Sequence, residues 1–185
     1  MLNNKIYQTS VLRTALLIFL LIVFCPPVLS FVPMDADKKW HKSLNGQWRF
    51  VFNKQMADFE KAGYNDGEWP MIKVPSNWEL EGFEEPKYAK PRPGTALYRK
   101  KFIIDKSWSK RAVFIRFEGV AFGFEFWING KHVGEFSSSF NRSEFEITKF
   151  VNFGVENVIA LKIDRRRKGW DFDSHDSWGL SGIFR

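Results

Sequence analysis

Cysteine is nearly missing from this chain: Cys25 is the only one in 185 residues. It closes an apolar N-terminal run, so everything downstream is without disulfides and must be held by packing. Histidine is scarce too, and His41, His132 and His175 are too scattered to form a metal set. Acidic residues are present, but Glu79, Glu81, Glu84, Glu85, Asp171 and Asp173 show no spacing that specifies a catalytic pair and are expected to be solvated. The segment Asp171-Phe172-Asp173-Ser174-His175-Asp176 lacks the glycine and the terminal glutamate of a calcium loop. No nucleophile elbow, phosphate loop, internal repeat or low-complexity tract occurs. A sustained helical apolar period is also absent, which excludes bundles and coiled coils.

What is abundant is aromatic surface, with 20 Phe and 8 Trp. That supplies a core and leaves rings over for a ligand platform. The apolar residues alternate as strands do. Gln47–Phe52 puts Trp48, Phe50 and Phe52 on one side. Tyr98–Ile104 aligns Tyr98, Phe102 and Ile104, and Arg111–Glu118 follows. Phe122–Ile128 aligns Phe122, Phe124, Phe126 and Ile128, with Glu125 opposite. Asn129-Gly130 then predicts a type I′ hairpin leading into Lys131–Phe136. Glu144–Ile147 and Asn157–Asp164 complete the set, the latter with Ile159, Leu161 and Ile163 pointing one way. Met56–Ala62 is the one expected helical turn, and the proline-rich stretch Trp69–Gly94 is expected to be mostly loop. Many short strands separated by turns predict an all-β fold, a β-sandwich or jelly-roll.

The N-terminus reads as a secretory signal over residues 1–30: Lys5 and Arg13 precede the apolar run Ala15–Phe24, and Val28-Leu29-Ser30 offers a cleavage site. The run is too short for comfortable membrane spanning, which takes about 20 residues, so a retained signal anchor is the lesser expectation. The expected destination is extracellular or periplasmic, with no membrane association after cleavage. Residues 31–38 form a polar lead-in. Removing the two signal cations takes the net charge from +7 to +5. The run Arg165-Arg166-Arg167-Lys168 could suggest nucleic acid, but in a secreted chain it is expected to be a solvated turn after a strand. Asn141-Arg142-Ser143 is a glycosylation acceptor in a eukaryotic host.

Three segments carry a more specific signal. They are Leu44-Asn45-Gly46-Gln47-Trp48-Arg49-Phe50, Val74-Pro75-Ser76-Asn77-Trp78, and Asp176-Ser177-Trp178-Gly179-Leu180-Ser181-Gly182-Ile183-Phe184-Arg185. In this order and spacing, residues 39–185 resemble the N-terminal sugar-binding domain of family-2 glycoside hydrolases, most closely the β-galactosidases, a resemblance that implies a jelly-roll, galactose-binding-like β-sandwich. The resemblance implies a domain incomplete at its C-terminus, the front of an enzyme whose catalytic glutamates lie in a later (β/α)₈ barrel. Hydrolysis of terminal β-galactosides would then be retaining, through two carboxylates of that barrel about 5–5.5 Å apart. No catalytic residue is assigned within this chain.

By the same resemblance Asp176 would touch galactose hydroxyls and a bound sodium ion, as a carboxylate that accepts strong hydrogen bonds can. The other reading of Asp176 is a turn cap. Trp178 would either stack on a sugar or lie in the core, and the core is the expectation. Arg92 stands about where the family carries a substrate-reaching asparagine, after a shortened segment at 86–95, and is the third candidate contact. Sodium, and magnesium in the full enzyme, come from the resemblance alone. The expected partners are a galactoside or other carbohydrate and the catalytic barrel; an oligomer of the full enzyme stays open. The alternatives are a free-standing carbohydrate-binding module, for which an unpaired edge at Ile183-Phe184 would be a liability, and a β-glucuronidase or β-mannosidase fragment.

Overall fold

The computed structural model describes residues 38–88, 92–173, 175 and 178–185. The signal segment, most of the lead-in and Asp176 lie outside the described residues. Lys38–Trp40 is a single 3₁₀ turn belonging to a separate N-terminal unit. Among the described residues no helix is long and apolar enough to cross a membrane.

Residues 43–185 build a β-sandwich. Its larger sheet has the order β2-β1-β3-β9-β6-β7, from Met71–Val74, Gly46–Phe52, Thr95–Ile103, Glu156–Asp164, Phe124–Ile128 and Lys131–Phe136. Every neighbouring pair is antiparallel. Two short ribbons form the opposing layer: β4 (Phe114–Phe117) with β8 (Ser143–Glu146), and β5 (Val120–Ala121) with β10 (Gly182–Ile183). The core lies between the layers. Trp48, Phe50, Ile72, Tyr98, Phe102, Ile159, Leu161, Ile163, Phe124, Phe126 and Ile128 face Ile115, Phe117, Val120 and Ile183. The alternation predicted for Trp48/Phe50, for Phe122–Ile128 and for Ile159/Leu161/Ile163 is the alternation observed. Burying one such large side chain is worth about 1.5–3 kcal/mol.

The outer face of the large sheet is covered too. Residues 53–69 fold across it, and Phe59 and Trp69 pack on Val51, Leu97 and Ala160. Arg99, fully buried on this face, pins the segment. It bonds Asp66 Oδ2 at 2.8 Å, the Phe59, Lys61 and Tyr64 carbonyls, and stacks on the Tyr64 ring. The expected helical turn at Met56–Ala62 is instead a series of turns, held by Arg99 rather than by helical bonds. The proline-rich stretch does contain a strand, β2. Pro70 and Pro75 flank it, and it is an edge strand, so neither ring removes an internal ladder bond. One helical turn, α1 (Trp170–Asp173), follows β9.

The Asn129-Gly130 hairpin has the positive φ values that type I′ requires, 51° and 81°. Its side chain does further work. Asn129 Nδ2 donates to Asn157 Oδ1 at 2.8 Å and to the Phe150 carbonyl, and its Oδ1 accepts from Val158 N. Asn157, fully buried, in turn accepts from Asn152 N and donates to the Asn152 and Val155 carbonyls. Removing one partner from such a network strands the others. Asn157→Leu is expected to lower stability by about 1–3 kcal/mol in a urea melt; an unchanged midpoint would show the network to be dispensable.

Candidate functional site

The second and third motif segments, about a hundred residues apart, lie side by side. Ser76 N donates to the Ile183 carbonyl at 2.8 Å and Trp78 N to the Ser181 carbonyl at 3.0 Å. Asn77 Nδ2 reaches the same Ser181 carbonyl at 3.4 Å, so Asn77 helps shape the loop as expected. On its other side, Gly182-Ile183 pairs with Ala121 and Val120. The edge feared at Ile183 is therefore bonded on both sides, and Ile183 is buried.

Beneath this junction sits Arg165, 1% exposed. The expectation of a solvated basic turn fails here, and the reason is the strand alternation: Arg165 continues the inward row Ile159, Leu161, Ile163. Its Nη2 meets Glu79 Oε1 at 2.5 Å and Glu84 Oε2, and its Nε donates to Ser181 Oγ at 2.9 Å. Glu79 Oε2 accepts from Ser181 N at 3.0 Å. The guanidinium lies between the Trp78 and Phe52 rings, 4.7 and 5.1 Å from their centroids. Glu79 and Glu84 are thus not solvated carboxylates, as their spacing had led one to expect; Glu79 is 3% exposed and Glu84 half-buried. Further along the run, Arg167 bonds Glu135 and Arg166 lies over Trp170.

The arrangement sets the protonation of its members. Burial pushes the Glu84 carboxyl up, but the hydrogen bond and charge of Arg165 and the charge of Arg92 outweigh it and hold the group below its ordinary 4.5. A carboxyl lowered by folding stabilises the fold above its unfolded value, and the contribution disappears as the pH falls through the folded value. Melting temperatures should therefore drop below about pH 4.5, and Glu84→Gln should flatten that part of the profile while lowering the plateau at pH 7. Superimposable profiles would remove Glu84 from the acid response. Beside the cluster, burial and then the charge of Glu79 raise the Tyr98 phenol well above 10, which keeps it neutral.

Glu79, Glu84, Glu85, Lys87, Arg92, Arg165 and Gly179 line a shallow depression of about 10 Å³, room for about one water molecule. Of the three predicted contacts, Arg92 lies in this wall. Its Nη2 pairs with Glu84 Oε1 at 3.1 Å and donates to the Glu85 carbonyl at 3.3 Å. Trp178 adjoins it through Gly179, and the core expectation is overturned: Trp178 is 66% exposed. Its ring meets Tyr88 edge to face, 4.7 Å between centroids. The chain is already buried at Gly179 and again at Ser181, whereas the Trp178 side chain just before it stays exposed. Asp176 cannot be placed, being outside the described residues. Among the described residues no group of three His, Cys, Asp or Glu could hold a metal ion, so no step is assigned to sodium. Asn141 is exposed, with Nδ2 donating to Ser138 Oγ, whereas Ser143 is buried in β8.

Glu79, Glu84, Arg99 and Arg165 are the functional or structural charges that local pattern missed. Glu79 and Glu84 are also unsuited to acid–base work: both carboxylates are held by Arg165, and a general acid needs a raised pKa, opposite to that of Glu84.

Residues 41–185 match the family described as glycosyl hydrolases family 2, sugar binding domain. A β-galactosidase of Vibrio cholerae is 35% identical over 161 residues, covering 78% of this chain and 16% of that protein. One of Pseudoalteromonas haloplanktis is 37% identical over 164 residues, again 78% and 16%. Among solved structures, a Bacteroides uniformis β-glucuronidase superposes with a TM-score of 0.67 at 25% identity, covering 78% of this chain and 17% of its own. A family-2 member from Bacteroides cellulosilyticus does so at 0.65 and 26%, covering 78% and 19%. The chain spans about a sixth of the length of the curated relatives it matches. With its motif segments joined across Ser76–Trp78 and Ser181–Ile183, it belongs to glycosyl hydrolase family 2, through that family's sugar-binding domain.

Proposed function

We propose that this is the sugar-binding domain of a secreted β-galactosidase, and that the glutamates of hydrolysis are supplied by a catalytic barrel outside these 185 residues. The observation that carries the reading is the junction of the two motif segments over the Arg165 cluster, together with β-galactosidase relatives at 35% and 37% identity. In it the domain presents Asp176 to galactose hydroxyls, and to a sodium ion when one is bound, while Trp178 and Arg92 border the sugar. Asn141 is the glycan acceptor in a eukaryotic host.

The test has two arms. The purified 185-residue chain is expected to give no turnover of a chromogenic β-galactoside, and turnover would sink the division of labour. In any longer form, Asp176→Ala is expected to lower kcat/KM at least about tenfold, equivalent to some 1.4 kcal/mol of lost transition-state binding. Unchanged kinetics would leave Asp176 a turn residue. A β-glucuronidase is the second reading, favoured by the superposition on the Bacteroides uniformis enzyme. A free-standing module also remains a reading of the geometry, because the pairing of Gly182-Ile183 with β5 removes the objection of a bare edge there. Hydrolysis of a glucuronide by the longer form, or a stop codon directly after Arg185 in the transcript, would favour these respectively.

A further inference from the structure

Ser181 is bonded through every polar atom it has. Its carbonyl accepts from Trp78 N at 3.0 Å and from Asn77 Nδ2 at 3.4 Å. Its amide donates to Glu79 Oε2 at 3.0 Å, and its Oγ accepts from Arg165 Nε at 2.9 Å. The residue is fully buried, and Trp78, Glu79 and Arg165, which hold it, are buried with it. Downstream, the pairing of Gly182-Ile183 with β5 already fixes the chain. What the bonds to Ser181 add is control of the chain that precedes it.

There the side chains turn outward. Gly179 is buried, but Trp178 is exposed, and its ring meets only the edge of Tyr88, itself exposed. Leu180 N donates to the Trp178 carbonyl at 2.6 Å, which closes residues 178–180 into one tight turn. Such a turn moves as one piece about its buried end. Ser181 is that end, and a tilt there is carried to Trp178 and to Asp176, two positions earlier in the sequence. Small tilts matter: a misplacement of about 1 Å, caused by a substitution away from the reacting atoms, can lower turnover on the order of 100-fold.

We infer that Ser181 is the positioning residue of the sugar contact, and that Glu79 and Arg165 act through it, setting by their hold on its amide and hydroxyl the angle at which the segment 176–180 meets the sugar. The inference rests on the sugar-binding reading above, in which Asp176 and Trp178 adjoin the sugar, and names the residues that aim them. Ser181 itself, being fully buried, touches no sugar.

The experiment is a kinetic double-mutant cycle in the longer form, with a chromogenic β-galactoside, at a temperature where every variant is folded. Ser181→Ala removes one oxygen and keeps the backbone bonds. It is expected to lower kcat/KM at least about fivefold. Added to Asp176→Ala, it should cost less than about twofold more, because the group it aims is already gone. Asn157→Leu disturbs a buried network at the other end of β9 from Arg165, so it should lower the melting temperature and leave kcat/KM unchanged. A loss from Ser181→Ala no larger than that from Asn157→Leu overturns the positioning. So do losses from Ser181→Ala and Asp176→Ala that multiply independently. Should Ser181→Ala not fold, Asn77→Ala takes only the 3.4 Å bond from the Ser181 carbonyl. It is expected to lower kcat/KM at least about twofold, and an unchanged value overturns the proposal in the same way. A silent Asp176→Ala sinks the sugar-binding reading and this inference with it, whereas an effective Asp176→Ala beside a silent Ser181→Ala sinks the positioning alone.

Discussion

Arg165→Met is expected to destabilise the domain by about 3–5 kcal/mol, because it leaves two carboxylates beneath the sandwich end with their cation gone. For a domain of this size that is a fall in melting temperature on the order of 10 °C. The geometry explains the magnitude. Arg165 has one guanidinium edge on Glu79 and Glu84, its Nε on Ser181 Oγ and its plane between Trp78 and Phe52. Methionine replaces the apolar stem but none of the donors. Glu79 retains the Ser181 amide alone, and Glu84 retains Arg92, which is more exposed. The carboxylates would either ionise unpaired or take up protons, so the loss should shrink as the pH is lowered. The triple variant Arg165→Met, Glu79→Leu, Glu84→Leu provides the control. If the cost arises from stranded charge rather than lost volume, the triple variant recovers much of the stability. If the single variant melts within about 1 kcal/mol of the parent, the cluster is not a fastening and the segment 79–84 is held by something else.

How much of this could be read from the chain follows a simple division. The strands were legible because alternation is a local property: Trp48/Phe50 and Ile159/Leu161/Ile163 each declare a face within a few residues. The Asn129-Gly130 turn was legible because its positive φ is a property of those two residues. The buried charges were not, because Arg165 is compensated by residues 81 and 86 positions away and Arg99 by one 33 away. A weak signal did exist: Arg165 falls on the parity of the inward row of β9, where a solvated residue would be out of phase. Edge strand β2 was hidden by its flanking prolines, which mark it only once its edge position is known. Trp178 misled for the opposite reason. A tryptophan is usually buried, and its position just ahead of the buried segment leading into β10 leaves it exposed. The expected family assignment rested on three segments, and the fold makes two of them a single physical unit through the Ser76–Ile183 and Trp78–Ser181 bonds.

That unit depends most sharply on Gly182, which gives the second large effect. Its φ is +133°, a conformation nearly closed to residues with a Cβ, and worth about 1–3 kcal/mol when forced. A Cβ there would stand 2.6 Å from the Ser76 carbonyl oxygen, 3.2 Å from the Tyr98 hydroxyl and 3.4 Å from Asn77 Cα. The nearest neighbour is backbone, and that backbone is fixed by the Ser76–Ile183 and Trp78–Ser181 hydrogen bonds, so it cannot yield without breaking them. Overpacking of this kind adds about 1–3 kcal/mol. Gly182→Ala is therefore expected to cost about 4 kcal/mol in all, the two contributions acting together. The damage should also be local before it is global. Amide exchange of Ser76, Trp78, Ile183 and Phe184 should accelerate more than that of β3 and β9, whose ladder bonds lie elsewhere in the sheet. Uniform acceleration would mean that the junction and the large sheet open as one unit. A melting temperature within about 2 °C of the parent would mean that the 75–78 loop moves aside at little cost, and the two motif segments would then be neighbours without being coupled.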